Sequence, residues 1–110
     1  MHQCFTKIET ENASRYLQQL CKHFAHKVAV DYDSARGRVE MPPGLCMLVA
    51  ENGALSFFCQ SREPKGLEVM QYIVVEHLEK FAWREDITIA WEPGLPADAP
   101  AEMQQEMDAG

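Results

Sequence analysis

The sequence predicts an α+β fold: a two-layer sandwich with a mainly antiparallel sheet, two helices on one face, and the order β-α-β-β-β-β-α-β. Two segments, near residues 13–26 and 67–81, repeat apolar residues at helical spacing. Four segments between them alternate with a period of two and are joined by short turns, which favours antiparallel pairing. Each helix has a single apolar stripe, so both are expected to pack on one face of the sheet.

Length and composition indicate one domain followed by a tail. The chain has 110 residues, of which 46% are hydrophobic and 25% are charged, an ordinary globular composition. Residues 1–94 are expected to form the single α+β domain. Residues 95–110 have low hydrophobicity, two prolines, four acids and no Lys or Arg, so they are expected to form a disordered acidic tail.

Charge and hydropathy exclude several classes of partner. The net charge is −7, and the body without the tail carries −3 of it, which disfavours nucleic-acid binding because that affinity rests on Lys and Arg. No apolar run is long enough to cross a bilayer, and the polar opening MHQCFTKIE does not resemble a signal peptide. A cytoplasmic location is therefore expected, in which the four cysteines, without any C-x-x-C pair, remain thiols.

The first elements are a short strand, a helix and two further strands. Phe5 to Ile8 predicts the strand, and Thr10 or Asn12 is placed to cap the helix that follows. This helix is expected over residues 13–26. Its buried stripe consists of Ala13, Leu17, Leu20 and Phe24. Strands are then expected over residues 27–32 and 38–41, with a turn over 33–37 between them and a stop at two prolines.

The segment LCMLVAENGALSFFCQ, residues 45–60, predicts a tight hairpin. Asn52-Gly53 favours a two-residue type I′ turn, which would pair Glu51 with Ala54 and set the register outward. One face would then be wholly apolar and meet the helices: Cys46, Leu48, Ala50, Leu55, Phe57 and Cys59. The other face would be mixed, as suits an open sheet face: Leu45, Met47, Val49, Ser56, Phe58 and Gln60.

The second helix and a last strand complete the domain. Pro64 suits the first turn of the helix. The apolar stripe of this helix comprises Leu67, Met70, Ile73, Val74, His77, Leu78 and Phe81. Residues 83–86 are expected to leave the helix, and the alternating residues 87–91 predict the last strand, ended by Pro93-Gly94.

The stretch CKHFAHK, residues 21–27, raises the question of a metal site. His23 and His26 lie about 60° apart on a helix and share one side, whereas Cys21 points away from them. Zinc or iron would need at least one more protein ligand, and His77 in the second helix is the candidate. The competing interpretation places both histidines and Lys27 in the last helical turn, where positive charge stabilises the helix dipole.

Two further candidate sites come from the hairpin register. Cys46 and Cys59 would lie directly opposite each other, within reach of a disulfide, so they form either a redox pair or two packed apolar thiols. Met47, Val49 and Phe58 would cluster on the open sheet face, where an exposed apolar patch would mark a partner, ligand or dimer site. No catalytic residue is assigned, because nucleophile–base sets, phosphate-binding loops and paired-acid motifs are absent from the sequence.

Three stretches together resemble a small bacterial domain family of unknown function. They are NASRYLQQLCKHFAHK, RGRVEMP and HLEKFAWREDITIAW, and the resemblance covers roughly residues 5–92. Members of that family are often encoded beside, or fused to, flavin-dependent siderophore-interacting proteins. The resemblance therefore implies a link to siderophore or iron handling, with no established catalytic residues.

These observations favour a non-enzymatic binding or accessory module that acts through its open sheet face, as a homodimer or with a protein partner. The resemblance implies a siderophore-interacting protein as that partner. The alternative is a metal-binding or thiol-redox protein that uses His23, His26 and His77, or Cys46 and Cys59. No cofactor is expected apart from the metal of this alternative.

Overall fold

The computed structural model describes residues 1–103, which form a sheet with two long helices on one face. The strands in this part of the chain are β1 (His2–Glu9), β2 (Ala29–Tyr32), β3 (Arg36–Met41), β4 (Gly44–Glu51), β5 (Ala54–Ser61) and β6 (Glu92–Pro93). The helices are α1 (Ala13–Phe24) and α2 (Pro64–Phe81), and residues 101–103 are also helical. The predicted α+β class and the order β-α-β-β-β-β-α-β are confirmed.

Strand β1 lies inside the sheet, between β5 and β6, rather than at an edge. The strands follow the spatial order β2-β3-β4-β5-β1-β6, and every neighbouring pair is antiparallel. Strands β2 to β5 form a meander of neighbours in sequence, whereas β1 pairs along its whole length with β5. The first and last strands of the domain therefore pair with each other, β1 lying between β5 and β6.

The β4–β5 hairpin has the predicted turn and register. Glu51 pairs with Ala54, and the two residues between them have positive φ, 52° at Asn52 and 71° at Gly53. Positive φ at both central residues defines the type I′ turn, whose twist matches that of the strands. Because side chains alternate along a strand, this turn determines which face each hairpin residue occupies.

The main core lies between the helices and one face of the sheet. The helical residues with almost no exposed surface include Leu17, Leu20, Met70, Val74 and Leu78. They pack against the predicted hairpin face, where Cys46, Leu48, Leu55, Phe57 and Cys59 have no exposed surface. The expected facing of the hairpin is therefore confirmed, and it places two cysteines in the centre of the core.

Helix α1 ends at Phe24, two residues before the predicted end. The Phe24 carbonyl accepts from both the Lys27 and the Val28 amides, at 3.0 Å each, so the chain turns directly after the helix. His26 therefore lies in this turn rather than in the last helical turn. Strand β3 begins at residue 36 rather than 38, because the Asp33 carboxylate accepts from the Ala35 and Arg36 amides at 2.8 Å and shortens the turn.

The predicted last strand, residues 87–91, alternates in burial but is not a paired strand. Ile87, Ile89 and Trp91 are half-buried against the core, and the residues between them are exposed. Pairing with β1 is limited to Glu92 and Pro93. The Ala90 carbonyl accepts from the Thr6 hydroxyl at 2.9 Å, so a side chain provides the donor that a paired strand would have provided.

A carboxylate joins the end of α2 to the start of α1. Glu85 accepts hydrogen bonds from the Thr10 hydroxyl at 2.8 Å, the Asn12 amide group at 3.0 Å and the Tyr16 hydroxyl. Asn12 occupies the N-cap position of α1, and its side chain is directed to Glu85 rather than to the helix backbone. Glu85 therefore anchors the chain where it leaves α2.

Residues 95–103 lie on the second face of the sheet, away from the helices. Leu95, Ala99 and Met103 are spaced four apart and pack against this face. Met103 has no exposed surface. The sequence predicts a disordered tail here, whereas the structure places these residues against the sheet. Residues 104–110 of the expected tail lie outside the described residues.

Within residues 1–103, no helix is both long enough and apolar enough to cross a bilayer.

Candidate functional site

His23 of α1 and His77 of α2 face each other across the contact between the helices. Their ring centroids are 5.0 Å apart and their planes are inclined by 51°. The side chains of Phe24 and Phe81 pack beside them, with centroids 5.1 Å from His77 and 6.1 Å from His23, respectively. Two of the three histidines of the predicted metal set are thus brought together.

The tautomer of His77 follows from its hydrogen bond. Its Nδ1 lies 2.7 Å from the Ile73 carbonyl oxygen one helical turn earlier. A carbonyl oxygen only accepts, so Nδ1 carries the proton and, in the neutral ring, Nε2 keeps its lone pair. Histidines that bind metals commonly have this arrangement: one ring N–H donates to a fixed acceptor, here Nδ1 to the Ile73 carbonyl, and the other nitrogen is left to bind the metal.

The side chains that act electrostatically on His23 are all basic. Its side chain is exposed overall, but the ring packs against His77 and Phe81. Desolvation at this contact lowers the pKa of His23 below its ordinary value. Further lowering of this pKa comes from His77, His26, Lys80 and Lys27, in that order. The neutral imidazole is therefore favoured at His23.

His26 completes no three-histidine site. It lines a shallow depression of about 260 Å³ together with Gln19, Lys22, His23 and Phe81. Within residues 1–103, however, no group of three or more His, Cys, Asp or Glu side chains is placed to hold a metal ion. The Gln19 Oε1 atom is buried and has no hydrogen-bond partner in this part of the chain.

Three thiols, rather than the predicted two, form a row across the sheet. Cys46 and Cys59 are register partners, and their Sγ atoms are 3.8 Å apart. Cys4 is the register partner of Cys59 on its other side, because β1 pairs with β5. The Gln71 side chain of α2 donates to Cys4 Sγ at 3.2 Å. The row therefore runs from Cys46 through Cys59 to Cys4, inside the core.

The environment of Cys4 and Cys59 disfavours the thiolate. The hydrogen bond between Cys4 and Cys59, together with burial, raises the pKa of Cys4. The hydrogen bond from Gln71 lowers this pKa but does not offset the increase. The hydrogen bond with Cys4 lowers the pKa of Cys59, but that with Cys46 and burial outweigh it and raise the pKa well above its ordinary value. Burial also raises the pKa of the fourth thiol, Cys21, to about 12. Thiolate is the reactive form, so these groups have the properties of packed apolar side chains.

The predicted binding patch lies beneath the chain's own residues. Met47 is 2% exposed and Phe58 5% exposed, and Val49 is half-buried. Phe5 stacks on Phe58 with ring centroids 6.5 Å apart. The sequence predicts these side chains as an exposed patch, but Leu95, Ala99 and Met103 cover them.

Two of the larger surface clefts lie at either end of α2. One, of about 650 Å³, lies at the start of α2, where Arg62, Lys65 and Ser61 are among its lining residues. The other, of about 560 Å³, lies between the second half of α2 and the segment 87–91, and contains Trp83 and Trp91. Neither contains a residue of the predicted metal, thiol or patch sites.

Comparisons with known proteins place the chain in a family. The profile of an uncharacterized protein family conserved in bacteria, DUF2218, matches residues 6–92. The chain belongs to the DUF2218 family. The chain is also similar to a solved NMR structure, PA4090 from Pseudomonas aeruginosa, with 33% identity and a TM-score of 0.72. That match covers 84% of this chain and 96% of the other. No curated protein matches the chain.

The DUF2218 match confirms the predicted resemblance and its extent, and it separates the candidate sites into two groups. The histidine pair, the three thiols and Glu85 lie within residues 6–92 or directly beside them. The covering residues Leu95, Ala99 and Met103 lie beyond the matched region. Met47, Val49 and Phe58 of the second sheet face therefore lie within the matched region, and the residues that cover them follow it.

Sequence reasoning missed Cys4 and the anchoring role of Glu85 in this DUF2218 member. Cys4, Thr6 and Ile8 alternate and face the core, so a signal for Cys4 exists once the β1–β5 pairing is known. Glu85 lies in the stretch FAWRE that contributes to the family resemblance, but its three donors come from residues about 70 positions earlier. Such partners cannot be read from local patterns.

Proposed function

We propose that the protein is a non-enzymatic binding module whose second sheet face receives an amphipathic segment of a partner protein. The observation that supports this is that Leu95, Ala99 and Met103 already lie on this face. An apolar surface that accepts residues at a spacing of four has the shape that helix-in-groove recognition requires.

The apolar character of the face supports the same proposal. Leu45, Met47 and Phe58 are almost fully buried by the cover, and Phe5 and Val49 pack at its margin. Large contiguous apolar surfaces on soluble domains generally mark interaction sites. The residues that cover this face in the present chain follow residue 92, where the family match ends.

The covering segment, residues 95–103, is attached to the sheet face in a way that allows another segment to replace it. Backbone hydrogen bonds within this segment run from the Ala99 amide to the Pro96 carbonyl and from the Met103 amide to the Pro100 carbonyl, each at 3.1 Å. Gly94, with a φ of 84°, donates to the Gln3 carbonyl at 2.8 Å where the segment leaves the sheet. Beyond this point the apolar side chains of Leu95, Ala99 and Met103 pack against the face, and a similar segment can replace them.

The family resemblance suggests the partner. A siderophore-interacting flavoprotein is the proposed source of the segment, which would make this chain an accessory protein in iron handling. A second copy of this chain is the other occupant, and the experiment distinguishes the two.

Two matched substitutions test the proposal. Ala99→Glu places a carboxylate against the sheet face, whereas Ala101→Glu adds the same charge at an exposed position of the same segment. We expect Ala99→Glu to uncover the face, seen as increased binding of an apolar dye with an unchanged far-ultraviolet circular dichroism spectrum. Ala101→Glu should behave as the unsubstituted protein. Equal dye binding by both variants would contradict the role of the cover.

The partner is tested by titration with a purified siderophore-interacting flavoprotein. We expect Ala99→Glu to bind it more tightly than the unsubstituted protein does, and Met47→Glu to abolish binding. A dimer of Ala99→Glu without flavoprotein binding would identify a second copy as the occupant. Uncovering without either complex would refute the docking function.

Metal binding is the second candidate function, and the His23–His77 contact favours it. Gln19 lies one helical turn before His23 and lines the same depression, so its buried amide oxygen is available as a third ligand. The surrounding lysines act against a cation at this place. The test is zinc titration of untagged protein by calorimetry: His77→Gln and Gln19→Ala should weaken binding and His2→Gln should not. Absence of stoichiometric binding would exclude the site.

The thiol-redox alternative gains no such support, because the pKa values of Cys4 and Cys59 are raised and both side chains are buried.

A further inference from the structure

The cleft beside α2 has the size and lining of a small-molecule site. Its volume, about 560 Å³, lies within the range of about 300–1,000 Å³ that is typical of ligand pockets. Leu78 and Ala82 are buried at its base, and Val75 and Ile87 are half-buried in its walls. Both tryptophans of the chain, Trp83 and Trp91, line it.

Carboxylates lie at the rim of this apolar cleft. Of the three acids that line it, Glu85 is engaged by the donors of Thr10, Asn12 and Tyr16. Glu79 and Asp86 are exposed, and in the described part of the chain neither has a Lys, Arg or His nitrogen within 4.0 Å. Two carboxylates beside an apolar wall are complementary to a cation that carries an apolar group.

The Trp83 ring already receives a positive charge. The Arg84 guanidinium carbon lies 4.8 Å from the centroid of this ring. Within about 6 Å of an aromatic face, a cation is attracted by the ring quadrupole. Trp83 remains 71% exposed and lines the cleft, so part of its surface is open to a further group. The chemistry of cation recognition is therefore present at the mouth of the cleft.

We infer that this cleft binds a small organic cation, an ammonium or guanidinium group attached to an apolar body. The apolar body packs against Val75, Leu78 and Ile87, and the charged group lies between Trp83 and the carboxylates of Glu79 and Asp86. The site lies on the helix side of the domain and is separate from the second sheet face. It therefore holds or fails independently of the proposed docking function.

Intrinsic fluorescence provides a specific measurement, because the only two tryptophans of the chain line the cleft. Full-length protein is titrated with phenethylammonium chloride and, as the uncharged probe of similar shape, with 2-phenylethanol. We expect a saturable emission change with the ammonium and binding weaker by about tenfold with the alcohol, the size of one surface charge interaction of about 1.4 kcal/mol. Calorimetry checks that the emission change is binding rather than quenching.

Substitutions locate the charge. Asp86→Asn and Glu79→Gln should each weaken phenethylammonium binding several-fold and leave phenylethanol binding unchanged. Glu68→Gln removes an exposed carboxylate of the same helix outside the cleft and should change neither. Val75→Arg, which fills the cleft with a cation of its own, should abolish binding in a protein that still folds. Equal affinity for the two probes, or no saturable response to either, would overturn the inference.

Discussion

The centroids of the imidazole rings of His23 and His77 lie 5.0 Å apart across the contact between α1 and α2. His77 has its Nδ1 proton directed to the Ile73 carbonyl, and the other charges near His23 belong to His26, Lys80 and Lys27. Desolvation and these basic groups therefore disfavour a proton on His23. We expect this contact to make the stability of the helix pair depend on pH.

Acid should destabilise the fold through His23. Its pKa is lowered in the folded protein, so below its ordinary value of 6.5 the unfolded chain takes up a proton more readily. The stability conferred by neutral His23 is complete above pH 6.5 and is lost as the pH falls through the folded pKa. We expect His23→Gln to reduce the slope of unfolding free energy against pH between 5 and 7. Because the His23 side chain is exposed, the reduction of this slope should be only a fraction of the slope that the uptake of one full proton would give.

Urea unfolding at a series of pH values measures this slope. His2→Gln, an exposed histidine at the start of β1, is the control and should leave the slope unchanged. A His23→Gln profile parallel to that of the unsubstituted protein would show that the His23–His77 contact does not control stability.

The buried thiols should not react in the native protein. Cys4, Cys46 and Cys59 are at most 3% exposed, and the pKa values of Cys4 and Cys59 are raised. We expect iodoacetamide at neutral pH to modify none of the four cysteines in native protein and all four in concentrated urea, as counted by mass spectrometry. Loss of two hydrogens on mild oxidation of native protein, abolished by Cys46→Ser and by Cys59→Ser but not by Cys4→Ser, would instead identify Cys46 and Cys59 as a redox pair.

Glu85 should contribute to stability above its folded pKa. The Tyr16 hydroxyl, followed by the Asn12 and Thr10 donors, lowers the pKa of this carboxylate below 4.5. The stabilisation is therefore present above pH 4.5 and is lost as the pH falls through the folded pKa. We expect Glu85→Gln to lower the unfolding free energy at pH 7 by about 1–3 kcal/mol, the usual worth of hydrogen bonds to a charged group.

Chemical denaturation of Glu85→Gln and Tyr16→Phe, singly and together, checks this. The two effects should be less than additive, because both remove the same hydrogen bond. Glu68→Gln, at an exposed position of α2, should change the unfolding free energy little. Full additivity of the pair would mean that Tyr16 and Glu85 act separately.

Gly53 should be sensitive to a side chain for backbone reasons alone. Its φ is 71°, and a Cβ atom added there would meet nothing within 4 Å. We expect Gly53→Ala to cost about 1–2 kcal/mol of unfolding free energy, the cost of left-handed backbone for a residue with a Cβ. Asn52→Gly, at the neighbouring positive φ of 52°, should cost much less. A neutral Gly53→Ala would argue against the type I′ turn.

The sequence by itself determined the features that depend on residues close together along the chain. Helical and strand periodicity predicts both helices and the meander β2 to β5, because these patterns reflect local backbone geometry. Asn52-Gly53 predicts the turn between β4 and β5. The register set by this turn predicts that Cys46 and Cys59 lie opposite each other on the core face. The histidine spacing excludes Cys21 from a shared site, which again is local helix geometry.

Only the tertiary structure decided which distant segments meet. Cys4 joins Cys59 because β1 inserts beside β5, and His77 reaches His23 because both helices pack on one face. Residues 95–103 look like a polar tail by composition, yet they cover Met47 and Phe58. Such contacts depend on which apolar surfaces the other elements leave uncovered. Which segments pack together is decided by a small difference between large free-energy terms summed over the whole chain, so no local pattern predicts it.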